Sequence, residues 1–175
     1  MVAHTPLHHA AALEEELGGE IRLKLESLQR TGSFKIRGAY NFVAQMSGPE
    51  RAKGIITYSS GNHAQAVALA AHLHGIRAVV VMPVTATDVK IKGSARLGAE
   101  VILEGVTSLD RKVMAESISE TEGLSIVPPF DHMDIIAGQG TVGIEIAEDW
   151  EDFDTVLLPI GGGGLCGGSA AALRR

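Results

Sequence analysis

The sequence predicts an α/β fold, with a parallel sheet flanked by helices. Three features point to it. An amphipathic stretch that ends at glycine and runs into an apolar segment recurs four times. The copies are "LGGEIRLKL" (17–25), "LHGIRAVVVMP" (73–83), "LGAEVIL" (97–103) and "EGLSIVP" (122–128). Glycine just past a helix end adopts the left-handed backbone without steric penalty, and the β-branched runs behind it read as buried strands. Helical periods lie between the runs, and strands that alternate with helices argue for a parallel sheet.

The bulk composition fits that class. With 175 residues, 45% apolar and 21% charged, the chain can bury the core of one ordinary domain or two small ones. Aromatics make up only 4% against 21 glycines, so the core must be Ala, Val, Ile and Leu crossed by tight turns. A net charge of −6 and the lack of a basic block argue against nucleic acid as the main partner. The single Cys166 rules out an internal disulfide framework and fits a reducing compartment. The opening "MVAHTPLHHA" lacks a signal-peptide pattern, and no apolar run approaches the ~20 residues needed to span a bilayer. The expectation is a cytoplasmic protein with no membrane partner.

Taken in chain order, the first stretch of chemical interest is "TGSFKIRGA" (31–39). Lys35 stands between Phe34 and Ile36, bounded by Gly32 and Gly38. Burying an ammonium without a partner is expensive. Lys35 is therefore either a surface lysine snorkelling past apolar neighbours or a lysine whose amine does chemistry. A polar break, "MSGPERAKG" (46–54), follows. In "GIITYSSGNHAQAVALA" (54–70), residues Ile55–Tyr58 read as a strand, and Ser59, Ser60, Gly61 and Asn62 as a turn. Ala64, Val67, Ala68 and Ala71 then share one helix face. Two hydroxyls, an amide and free N–H groups at a helix N-terminus would suit a carboxylate. Ordinary capping by Ser or Asn is the reading that segment alone favours. His63 is either a base or a packed residue, and packing is favoured.

The stretch "SLDRKVMAESISETEG" (108–123) reads as a helix capped by Ser108, with Leu109 over Val113 and Met114 over Ile118. A second break, "PPFDHMD" (128–134), closes a segment of about three βα units. The expected organisation is a larger domain formed by residues 1–50 and 130–175, with a small α/β domain, 51–129, inserted in it. "GQGTVG" (138–143) spells G-x-G-x-x-G, which would suggest a nucleotide-binding oxidoreductase. That motif needs a strand before it and an acidic residue about 20 positions on. Here "DHMDIIA" reads as a helix start and position 160 is Ile, so the glycines are expected to let helices pack closely.

The last stretch, "DTVLLPIGGGGLCGGSAAALRR" (154–175), reads as a strand at 155–160, four glycines, and a helix of small residues. Such a unit aims successive backbone N–H groups and a helix dipole at one point, which cradles a phosphate. Four glycines set between strand and helix favour this over a flexible surface turn. Their spacing matches neither a Walker loop nor a dinucleotide fingerprint. A phosphate cup, a carboxylate-binding turn and a lysine in an apolar setting are together what pyridoxal 5′-phosphate needs to act on an amino acid. The lysine supplies a Schiff base, desolvation keeps part of it neutral, and the cofactor is the electron sink.

These residues resemble a known family. "LKLESLQRTGSFKIRGA" (23–39), "SSGNHAQAVALAA" (59–71) and "PIGGGGL" (159–165) are similar to fold-type II pyridoxal-phosphate enzymes, in particular the threonine/serine dehydratase and serine racemase group. The likeness runs from Thr5 to the end. It implies a tryptophan synthase β-like architecture, with Lys35 bonded to the cofactor and shuttling the Cα proton. It further implies that Phe34 packs near the cofactor and that Asn62 hydrogen-bonds its 3′-oxygen. Gly161, Gly162, Gly163, Gly164 and Leu165 would hold the phosphate through backbone N–H groups. Ser59, Ser60, Gly61, Asn62 and His63 would line the substrate-carboxylate turn.

The chemistry implied is β-elimination, giving 2-oxobutanoate from threonine or pyruvate from serine, with ammonia. Ser60 would face the substrate opposite Lys35, which keeps serine racemase and 3-hydroxyaspartate dehydratase activities open. No metal ligands are expected within these residues. Members of the group continue for roughly as long again past the glycine loop, so the larger domain is expected to be incomplete. The strand at 155–160 would then lack neighbours on one side, and the cofactor pocket would be open to water. A homo-oligomer, a complementing C-terminal chain, or an inactive remnant that binds the cofactor weakly are the corresponding expectations.

Overall fold

The structure, a computed structural model, describes residues 2–174. The chain opens with β1 (Leu7–His9), α1 (Ala11–Leu17) and β2 (Arg22–Lys24). β1 and β2 pair antiparallel, Leu7 opposite Lys24. This corrects the reading of the run at 17–25 as a buried strand. Arg22 and Lys24 must keep their charges near water or carboxylates, so the run forms half of an exposed two-stranded ribbon. Two 3₁₀ turns, Glu26–Leu28 and Arg30–Gly32, then lead into α2 (Lys35–Gln45). The stretch read as a polar break holds α3 (Gly48–Lys53), because Ser47 and Glu50 form a reciprocal capping box at its start.

Strands and helices then alternate: β3 (Ile55–Tyr58), α4 (Asn62–His74), β4 (Ala78–Met82), α5 (Asp88–Arg96), β5 (Glu100–Leu103), α6 (Ser108–Glu122) and β6 (Ser125–Ile126). The four strands form one parallel sheet in the order β5-β4-β3-β6. All five residues of β4 are buried, as befits a strand covered on both faces. Ile55, Val80 and Met82 face a cluster of α4 alanines joined by Ile36, Ala39 and Val43 of α2. Ile56, Val79 and Val81 face Ala115 of α6. The cap of α6 is Thr107, not Ser108: its hydroxyl accepts from the Asp110 N–H, and the Asp110 carboxylate accepts from the Thr107 N–H. Met114 and Ile118 pack on the sheet, while Leu109 and Val113 lie exposed.

The chain ends in α7 (Met133–Asp149) and α8 (Gly164–Leu173). "GQGTVG" lies wholly inside α7, and its glycines are helix contacts. A Cβ on Gly138 would sit 2.5 Å from the Arg37 carbonyl oxygen of α2, and one on Gly140 2.8 Å from the Gly168 oxygen of α8. α7 is thus wedged between α2 and α8 at backbone distance.

Residues 155–160 are not a strand, contrary to expectation. Val156 and Leu158 pack onto Val142, Ile146 and Leu165, while Leu157 is 90% exposed, so the side chains alternate as in a strand. Among the described residues no strand lies beside this segment, and a strand exists only by sharing its backbone hydrogen bonds with a neighbour.

Candidate active site

Lys35 owes its position to a local twist. Thr31 has φ 68° and Gly32 φ 69°, two successive left-handed residues that swing the chain into α2. A β-branched residue in that region is strained, which is unusual outside functional segments. The Lys35 ammonium donates to the Pro129 carbonyl at 2.6 Å and lies 5.4 Å from the centre of the Phe34 ring. Burial pushes its pKa below the ordinary lysine value.

His63 stands behind the lysine. Its ring is buried, with Nε2 3.2 Å from the Val127 carbonyl and Nδ1 unpartnered. Burial, with the Lys35 charge adding to it, outweighs that hydrogen bond and lowers the pKa to about 4. The imidazole is therefore neutral, Nε2 carries the proton, and its side chain points into the protein, not toward the turn at residues 59–62. Lys35 and His63 thus grip the same segment, two residues apart.

A cavity of about 220 Å³ opens beside Lys35. Phe34, Gln139, Phe130 and residues 161–165 share its wall with the lysine. Gly163, at φ 85°, is the N-cap of α8, and no side chain caps that helix. Its first N–H groups and dipole are therefore free for an anion. The glycines have separate reasons to be glycine. Gly162 lies under the Phe130 ring, which a Cβ there would overlap, and a Cβ on Gly164 would lie 2.9 Å from the Phe130 carbonyl oxygen. Gly161 has nothing within 4 Å of its Cβ position. An open anion seat, a partly desolvated amine and a buried amide without partners fit a ligand that carries both a phosphate and an aldehyde.

The turn at residues 59–62 is not part of that wall. The capping reading of its Ser and Asn side chains does not hold: the N-cap of α4 is Gly61, and no side chain caps the helix. Ser59 Oγ instead accepts from the Gly61 N–H at 3.2 Å, while the Ser60 and Asn62 side chains are exposed. Sequence reasoning missed Lys90, whose Nζ lies 2.9 Å from where a Gly61 Cβ would be. It also missed Phe130 and Gln139. A helical lysine 29 residues past the turn carries no local signal, and Gln139 was read only as part of a glycine motif. Among the described residues, no group of three or more His, Cys, Asp or Glu side chains could hold a metal ion, and no helix is long and apolar enough to cross a membrane.

Comparison with known proteins places this geometry. The profile of a family described as pyridoxal-phosphate dependent enzyme matches residues 1–175. An L-threonine ammonia-lyase of Thermotoga maritima is 49% identical over 174 residues, which are 99% of this chain and 43% of that protein. An L-threo-3-hydroxyaspartate ammonia-lyase of Saccharomyces cerevisiae is 43% identical over 173 residues, 99% of this chain and 53% of that protein. The structure of maize serine racemase superposes with a TM-score of 0.96 at 36% identity, covering 99% of this chain and 53% of that one. The chain spans about half the length of these relatives. With the profile matched from end to end on a fold that superposes so closely, this chain belongs to the pyridoxal-phosphate dependent enzyme family, in its fold-type II architecture.

Proposed function

We propose that the chain carries the amine and phosphate-binding parts of an ammonia-lyase that dehydrates a β-hydroxy amino acid such as L-threonine or L-serine. The observation that carries this reading is that one cavity holds both the desolvated Lys35 amine and the glycine loop at the uncapped start of α8. Bound there, pyridoxal phosphate would supply an aldehyde for amines and a ring that stabilises negative charge on Cα.

The protein's own residues do the rest. Lys35 Nζ, part of it neutral because burial lowers its pKa, has the free lone pair to bond a carbonyl carbon and to take up the Cα proton. Residues 161–165 orient the phosphate through their N–H groups. Phe34 and Phe130 keep water from the amine. The turn at Ser59 to Asn62, backed by the free N–H groups of α4, binds the substrate carboxylate. Amine and anion seat lie on residues 1–50 and 130–175, and the carboxylate turn on residues 51–129, so the substrate sits between the two proposed sub-regions. Water is eliminated first and one water is taken up again when the released imine hydrolyses, so the net change is loss of ammonia, leaving a 2-oxo acid. A second reading, racemisation or hydroxyaspartate dehydration, rests on the exposed Ser60 side chain on that turn.

The test is to add pyridoxal phosphate to the purified chain and follow the absorbance band of lysine-linked cofactor. Formation of 2-oxo acid from L-threonine, L-serine and 3-hydroxyaspartate is measured alongside, as is D-serine from L-serine. Lys35→Ala should abolish the band and every product. A folded wild-type sample that never shows the band refutes the proposal.

A further inference from the structure

We propose that the side-chain amide of Gln139 is a further phosphate ligand in this cavity, its NH₂ group completing the anion seat begun by residues 161–165. The proposal rests on the functional reading above. Gln139 is 1% exposed, yet neither its Nε2 nor its Oε1 has a hydrogen-bond partner. Native structures seldom leave a buried amide unpaired, because both polar ends have been stripped of water with nothing in exchange. The exception here falls in the wall of the one cavity that also holds Lys35 and the glycine loop.

The amide is held in place. A Cβ on Gly38 would lie 2.5 Å from Nε2 and 2.9 Å from Cδ, so the amide occupies a slot on α2 that any larger residue at 38 would fill. Gly38 follows Lys35 by three residues, which puts both on one face of α2. On α7, the glycines on either side, Gly138 and Gly140, bring the α2 and α8 backbones to the same point. Gln139 is therefore fixed where the starts of two helices converge.

The chemistry is complementary. A phosphate monoester offers several strongly accepting oxygens. The α8 start offers backbone donors, and an amide NH₂ adds two more without adding charge. Lys35 is the other nitrogen-bearing side chain in that wall. A glutamine left unpaired for a ligand lowers the stability of the empty protein in exchange for affinity, and this makes its role measurable.

The test compares wild type with Gln139→Met, which keeps length and removes the amide, and Gln139→Glu, which keeps shape and adds charge. The measurements are melting temperature without ligand, and affinity for pyridoxal phosphate, for pyridoxal lacking the phosphate, and for inorganic phosphate. Gln139→Met should melt at or above the wild-type temperature while binding pyridoxal phosphate and phosphate about ten- to a hundredfold more weakly, as for a lost hydrogen bond to a charged group. Pyridoxal affinity should not change, and Gln139→Glu should lose more phosphate affinity still. A Gln139→Met protein that melts lower and loses both cofactor forms equally has lost only packing, which overturns the proposal. So does one that retains full pyridoxal phosphate affinity. Wild-type protein that shows no lysine-linked band overturns the functional reading instead, so the two failures are distinct.

Discussion

Replacing Gly138 by alanine should destabilise the protein, and the same replacement at Gly167 should stabilise it. Both glycines lie inside helices, α7 and α8. Intrinsic helix propensity therefore favours alanine at each by about 1 kcal/mol. The surroundings decide the sign. A Cβ at 138 would lie 2.5 Å from the Arg37 carbonyl oxygen, 2.6 Å from Gly38 Cα and 2.8 Å from the Arg37 carbonyl carbon, all backbone atoms that no rotamer change can move. Contact distances near 3.5 Å would be restored only if α2 and α7 parted by about 1 Å. Such overpacking costs typically about 1–3 kcal/mol, and a backbone-to-backbone clash belongs at the upper end. Net of propensity, the expected loss is about 2 kcal/mol, a fall in melting temperature of roughly 4–8 °C for a chain of this size. A Cβ at 167 meets nothing within 4 Å, so the propensity gain stands alone. Melting temperature should rise there by about 2–4 °C. Thermal melts by circular dichroism on the two variants decide it. A stable Gly138→Ala protein would refute the backbone-distance packing of α2 on α7.

Other perturbations test other parts of the fold. The Arg37 side chain is fully buried and donates to Glu26 at 2.7 Å and to Glu145 at 2.9 Å, joining the first 3₁₀ turn, α2 and α7. Arg37→Met takes the cation from Glu26 and leaves Glu145 with Lys24 alone, and urea denaturation should show a loss of about 3–5 kcal/mol. A loss under about 1 kcal/mol would mean that the network is solvated. Burial raises the pKa of Glu145, but its bonds to Arg37 and Lys24 more than offset this, so the folded value lies below 4.5. Its contribution is complete above pH 4.5 and fades as pH falls through the folded value, and the wild-type stability curve should bend down there. His63 acts at higher pH. Its ordinary value is 6.5 and its folded value about 4, so only the unfolded chain gains the proton between them. Stability should decline from pH 6.5 to 4 by about 3 kcal/mol on this account. His63→Gln should flatten that part of the profile in urea melts at stepped pH, and an unchanged slope would show that the ring is not buried neutral.

Much of this was legible in the chain itself. The Gly-punctuated apolar runs identified β4, β5 and β6 as parallel strands, and Ile55–Tyr58 read as β3, because local period and burial agree there. Lys35 and the four glycines were legible for a related reason: a lysine between large apolar residues and a run of residues without side chains are both costly unless chemistry uses them. The failures share one cause. Residues 155–160 have a strand's alternation, and α4 has serine and asparagine at its start, but a strand needs a neighbour and a cap needs a side chain turned inward. Neither is a property of the local sequence. Thr107 displaced Ser108 as the cap of α6 by one residue because the reciprocal bond to Asp110 depends on an exact register.

The sequence alone determined the class of fold and marked the Lys35 amine and the glycine loop that are proposed to hold the cofactor, since each is encoded in contiguous residues. Only the tertiary structure decided what stands around them. It brought the Pro129 carbonyl to Lys35, the Phe130 ring over Gly162 and the unpaired amide of Gln139 into the cavity wall. These residues lie 94 or more positions from Lys35 or 32 from Gly162, and no local period links residues so far apart. Their meeting depends on glycines at 38, 138, 140 and 168 letting three helices touch at backbone distance.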